Sequence, residues 1–150
     1  MYATSVEFNK NIFLQGDIIA DFPFLNLKDE YFFLEKEEDK FIKSEPKIQD
    51  QNIIAVNSKK SSVIILSHSC DIEQRNIVLI APVYNLNSLL TEGLIKNNQL
   101  ENLKSRRINY LFYLPAFGEK LEESVALLNS IHYVSKEMVV KLKENKIVSL

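Results

Sequence analysis

With 150 residues, 46% of them hydrophobic, 25% charged, and only three Gly and four Pro, the chain has the composition of one packed domain over 1–150, not of a disordered segment. A single cysteine, Cys70, excludes an intramolecular disulfide, and a net charge of −2 from 18 basic and 20 acidic residues lacks the basic excess usual in a nucleic-acid binder. No apolar run is long enough to span a bilayer and Tyr2–Glu7 is no charged-then-apolar leader, so no membrane role and a cytoplasmic location are expected.

The first predicted element is a strand over 12–24, entered by a turn at Gly16-Asp17 and ended, or placed on an edge, by Pro23, which has no N–H to give. A strand follows near 31–35, then a solvated loop holding Glu37-Glu38-Asp39-Lys40, then a short strand at Ile53–Val56. The centre of the chain has the clearest pattern. Ser62–Ser67 and Asn76–Val83 are β-branched runs without alternation, which suits neighbouring strands covered on both faces.

Leu86, Leu89, Leu90 and Leu94 then fall at helical spacing, with Asn87 or Ser88 as cap, Gly93 weakening the helix and Lys96–Gln99 breaking it. A second short helix covers Leu100–Ser105. Strands are predicted over 108–114, ended by Pro115, and over 125–134. Ser135 caps a last helix bearing Met138, Val139 and Leu142, and Lys146–Leu150 reads as a final strand.

Chemistry concentrates between the two central strands, in Ser67-His68-Ser69-Cys70-Asp71 with Arg75 close behind. If the strand continues, His68 and Cys70 share one face; if it turns, Asp71 can bond its own backbone. Three readings stand side by side. Cys70 can act as a nucleophile, with His68 or His132 as base and Asp71 orienting the imidazole. A zinc site would need carboxylates or a second subunit, since the chain has one Cys and two His; no metal and no cofactor are assigned. In the third reading the motif is scaffolding, with Asp71 paired to Arg75.

The order Gly16-Asp17-Ile18-Ile19, Val63-Ile64-Ile65-Leu66-Ser67, and Ile77 through Ala81-Pro82-Val83 resembles the MazF/PemK-like ribonuclease toxins. Those open on a Gly-Asp-Ile/Val strand, end a hydrophobic strand in Ser, and end another in Ala-Pro. The likeness covers 12–85 and implies an SH3-like β-barrel with helices alongside, commonly a homodimer that cleaves single-stranded RNA and is held by an antitoxin. Departures fall at the cleavage residues. Lys59-Lys60-Ser61-Ser62 replaces Arg-Pro, Val83-Tyr84-Asn85 lacks the Thr, and His68-Ser69-Cys70-Asp71 replaces the Asp-x-Phe-Asn-like turn. The Ser-His-x-Cys-Asp turn, with Tyr110–Pro115, is also similar to uncharacterised bacterial and phage-encoded proteins, which bring no known reaction.

Lys104, Arg106 and Arg107 precede Tyr110, Phe112 and Tyr113. Such cations can hold phosphates while a base stacks on a ring; equally, they can terminate a helix ahead of a half-buried strand. The expectation is a mainly β chain with accessory helices, an SH3-like small barrel with helices near 87–105 and 136–145. Its expected role is a binding or regulatory module of a toxin–antitoxin or phage-defence system, with a protein or single-stranded RNA partner and a homodimer as candidates. The alternatives are a divergent endoribonuclease and a Cys-dependent enzyme or thiol sensor. Candidate catalytic residues are His68, Cys70 and Asp71; candidate nucleic-acid contacts are Arg75, Arg106, Arg107 and Tyr110.

Overall fold

The computed structural model describes residues 13–25, 31–46 and 52–148. In chain order they form β1 (Ile18–Leu25), β2 (Tyr31–Glu37), β3 (Lys40–Ser44), β4 (Ile53–Val56), β5 (Ser58–Ile65), α1 (Ser69–Gln74), β6 (Ile77–Asn85), α2 (Leu86–Thr91), α3 (Leu100–Lys104), β7 (Leu111–Leu114), β8 (Ser124–Leu127), β9 (His132–Ser135), α4 (Lys136–Lys141) and β10 (Lys146–Val148). The protein is mainly β with a few short helices. No helix among the described residues is long and apolar enough to cross a membrane.

The chain divides into two compact units, one from Pro23 to Lys60 and the other from the residues on either side of it. The smaller unit is a three-stranded antiparallel sheet in the order β3-β2-β4. None of its described residues is buried, and Lys43 Nζ stands 4.1 Å over the Phe32 ring. The loop expected around 37–40 is instead a two-residue turn, with Glu38 at φ 50°, leading into β3. Pairing with β2 satisfies the β2-facing half of the β3 backbone, and its lysines are exposed. β1 also continues two residues past Pro23, which stands where the chain passes from one unit to the other.

The larger unit is a seven-stranded sheet ordered β10-β1-β5-β6-β8-β7, with β9 also on β6. The two central runs do pair: Val63 lies opposite Pro82 and Ile65 opposite Ile80. One face gathers Ile18, Ile64, Ala81, Val83, Leu114, Ala126 and Val148 into a single cluster. On the other face, Val125 and Leu111 pack with Leu86, Leu89, Ile95 and Leu103 from the α2–α3 segment. Each fully buried Val, Ile or Leu contributes about 1.5–3 kcal/mol, far more than six-residue helices gain by forming alone.

The strand expected over 125–134 is two strands, and Pro82 accounts for the break. β8 pairs with β6 through Val83 opposite Ala126, while β9 pairs through Ile80 opposite His132, so residues are inserted between them. Backbone alternation turns the Pro82 nitrogen toward β8, where Pro has no hydrogen to donate. The Leu127 carbonyl on that side accepts from Ser130 N at 3.2 Å instead, and the chain loops out before β9. A proline in a central strand thus sits at an interruption of the ladder, as expected for this residue.

The helix ends differ in detail from the sequence reading. Asn85, rather than Asn87 or Ser88, caps α2, its Oδ1 accepting from Ser88 N at 3.1 Å. Gly93, at φ 73°, ends that helix in a Schellman motif, with Gly93 N on Leu90 O and Leu94 N on Leu89 O. A 3-10 turn at Asn97–Gln99 leads directly into α3. Ser135 caps α4 as expected, accepting from Met138 N at 3.2 Å. Val139 is the buried residue of that helix, while Met138 is exposed. The final strand covers 146–148; the rest of the predicted stretch lies outside the described residues, as does Ile12.

Candidate functional site

The polar motif begins where β5 stops. Leu66 N still bonds Leu79 O at 2.8 Å, but at the next step Ser67 Oγ accepts from Leu79 N at 2.8 Å. Ser67 is therefore a buried stand-in for a main-chain acceptor. The chain then enters α1 rather than an extended strand or an open turn, so His68 and Cys70 are not paired on one strand face.

His68 is the N-cap. Its Nδ1 accepts from Cys70 N at 3.3 Å, and its carbonyl accepts from Asp71 N and Ile72 N. Asp71 lies in the first helical turn, where a carboxylate meets the positive end of the peptide dipoles. It also faces Arg75 Nε at 3.7 Å, an exposed pair of the kind that contributes little to stability. Ser69 Oγ accepts from Gln15 N, and Gln15 Nε2 donates to Leu66 O, which fastens the segment before β1 to this corner.

His68, Cys70 and Asp71 are all exposed. Their polar atoms serve the helix start: the imidazole nitrogen meets a backbone amide, and the carboxylate meets Arg75. Among the described residues Cys70 Sγ has no hydrogen-bond partner, and no group of three His, Cys, Asp or Glu is placed to hold a metal. His132 lies on β9, opposite Ile80. Beneath α1, a recess of about 190 Å³ is lined in part by Ile72, Val78 and Val139, with Lys136 Nζ 3.5 Å from Glu73 O at its rim.

The basic segment is largely occupied by its own neighbours. Lys104 Nζ lies 3.0 Å from Glu123 Oε1 and 5.6 Å over the Tyr113 ring. Tyr113 donates its hydroxyl to the same Glu123 oxygen. That phenol first, and the Lys104 ammonium second, hold the Glu123 carboxyl below its ordinary pKa. Arg106 stacks 4.4 Å over Phe112. Arg107 and Tyr110 remain exposed in the turn before β7.

Arg106 also has a left-handed backbone, φ 58°. Arg106 N bonds Leu103 O and Arg107 N bonds Asn102 O, completing a Schellman motif after α3. Arginine thus occupies the position where glycine is usual. Sequence reasoning missed this strain, and it missed Glu123, which only the fold brings to Tyr113 and Lys104. The turn expected at Gly16-Asp17 is present, with Asp17 N bonding Leu14 O at 3.1 Å, but sequence reasoning did not foresee the burial of Asp17 against Lys146.

No family model, no curated protein and no solved structure matches this chain.

Proposed function

We propose that the chain is a non-catalytic binding or regulatory module of toxin–antitoxin or phage-defence type, and that its partner is a protein. The observation that carries this reading is the use made of the polar motif. His68 and Asp71 are engaged in starting α1 and in a surface pair, and no nucleophile–base contact joins them to Cys70. A protein partner is favoured over RNA because two cations of the basic run are held by Glu123, Tyr113 and Phe112. Only Arg107 and Tyr110 are left from that segment, and Arg75, ahead of β6, faces Asp71.

An SH3-like, MazF/PemK-like barrel is part of the same proposal. Its support is the shared core: residues from β10 and β7, the two ends of the hydrogen-bonded path, belong to one cluster. The path itself is open, with no pairing of β10 to β7 among the described residues.

The test is incubation of purified protein with single-stranded RNA, alongside co-expression with the product of the adjacent reading frame. Intact RNA, and a stable complex with that product, are expected. Specific cleavage that disappears in His68→Ala or Asp71→Ala would establish the endoribonuclease alternative in its place. The exposure of Cys70 favours one second reading, a thiol sensor, for which the readout is a change in partner binding after alkylation.

A further inference from the structure

The recess beneath α1 is space that the larger unit does not fill with its own side chains. Protein interiors hold few voids larger than a water molecule. At about 190 Å³, this one is several times the roughly 30 Å³ that a water takes up in the liquid. Its inner wall is apolar: Ile72 of α1, Val78 of β6 and Val139 of α4 are 5%, 0% and 1% exposed. Phe13 and the exposed Val140 extend that lining outward. Water against such a wall finds few polar partners, so an apolar group that displaces it is favoured.

Two charged residues, Glu73 and Lys136, line the same recess. Lys136 opens α4, its amide is fixed on Asn76 O at 2.8 Å, and its Nζ lies 3.5 Å from Glu73 O near the C-terminal end of α1. The other charges on these two helices are matched, Asp71 with Arg75 and Glu137 with Lys141. Glu73 and Lys136 are not: among the described residues neither has a side-chain ion-pair partner, nor do they pair with each other. The recess thus combines an apolar wall with one anion and one cation that the fold leaves unmatched. Pockets for drug-sized ligands run to about 300–1,000 Å³, so a nucleotide or larger cofactor is excluded. An apolar cavity of about 150 Å³ holds benzene, so a group the size of a leucine side chain fits.

We infer that this recess binds a free apolar α-amino acid of about leucine's size. The side chain of the ligand fills the space against Ile72, Val78 and Val139. Its carboxylate meets the Lys136 ammonium, and its own ammonium meets the Glu73 carboxylate. A cation and an anion beside one apolar wall are complementary to a zwitterion with an apolar body. An apolar acid without the amine is repelled by Glu73, and an apolar amine without the acid is repelled by Lys136. So small a ligand binds weakly, in the roughly millimolar range. This small-molecule site is additional to the protein-binding role proposed above and does not depend on it.

Methyl NMR of the full chain, titrated with L-leucine, tests it. Saturable shifts are expected at the Ile72, Val78 and Val139 methyls. Isocaproate and isoamylamine keep the side chain and drop one charge each, and glycine keeps both charges and drops the side chain. All three should bind at least about tenfold more weakly than leucine. Lys136→Met and Glu73→Gln should each weaken leucine binding about tenfold, and in Lys136→Met isoamylamine should bind no worse than leucine. Absence of shifts at those methyls would overturn the inference. So would isocaproate or isoamylamine binding the unaltered protein as tightly as leucine, or leucine binding that survives in both variants. The ligand series uses the unaltered protein, so it decides the matter even if a variant fails to fold.

Discussion

Lys146 Nζ lies 2.9 Å from Asp17 Oδ2, and neither side chain is more than 1% exposed. Asp17 Oδ2 also accepts from Leu14 N at 2.9 Å. The pair joins the turn that opens β1 to the strand that ends the described chain, beside the register shift between β1 and β10. Removing one member of a buried pair leaves the other charge desolvated, at a cost of about 3–5 kcal/mol. Lys146→Met should lower the urea midpoint accordingly. A loss below about 1 kcal/mol would mean that water reaches Asp17.

Arg106 separates two effects that oppose each other. Arg106→Gly relieves a left-handed backbone, worth about 1 kcal/mol, and gives up a stacking contact worth about 0.5–1 kcal/mol. Arg106→Ala gives up the contact and keeps the strain. Thermal melts should therefore place Arg106→Gly near the unaltered protein and Arg106→Ala below both. The reverse order of the two variants would show that the left-handed backbone is not strained.

Glu123 supplies a pH-dependent prediction. Its carboxyl is held below the ordinary value by Tyr113 and then by Lys104. A depressed carboxylate stabilises the fold above its unfolded pKa, and that stabilisation is lost as pH falls through the folded pKa. The Glu123 side chain is 42% exposed, so the contribution is small, below about 1 kcal/mol. Tyr113→Phe should raise the Glu123 pKa in a carboxyl NMR titration, and its stability deficit should shrink in acid. An unchanged titration would remove the phenol as the cause.

Cys70 is exposed in the first turn of α1. It should therefore react fully with a thiol reagent in the native state, without denaturant. Cys70→Ser should change stability by no more than about 0.5 kcal/mol, as surface substitutions usually do. Protection of the thiol in the native protein would contradict the exposed placement.

Much of the β framework was legible because strand formation here is a local matter. Val63-Ile64-Ile65 and Ile77–Ala81 carry β-branched side chains wherever the rest of the chain goes. Ser135 likewise announces α4 by residue type and position. β3 was hidden by its charges, because its stability comes from pairing with β2 rather than from its own pattern. Asn85, Gly93 and Arg106 were misplaced or missed because a cap is defined by a backbone angle, which composition does not reveal.

The candidate site divides in the same way. Ser67 through Asp71 stands out in the sequence because unlike polar groups are crowded between apolar strands, and a pairing of Asp71 with Arg75 is part of the scaffolding reading; its helical spacing came only with α1. What those groups do depended on whether the chain stayed extended, and α1 decided that by turning His68 into a cap.

By itself the sequence determined a mainly β chain, its central strand pair and the location of its polar motif, since neighbouring residues encode each of these. Only the tertiary structure joined Asp17 to Lys146, gathered Glu123 with Tyr113 and Lys104, and set Lys136 beside Glu73. Those relations link residues far apart along the chain, and burial and pairing act on distance in space, which no local pattern records.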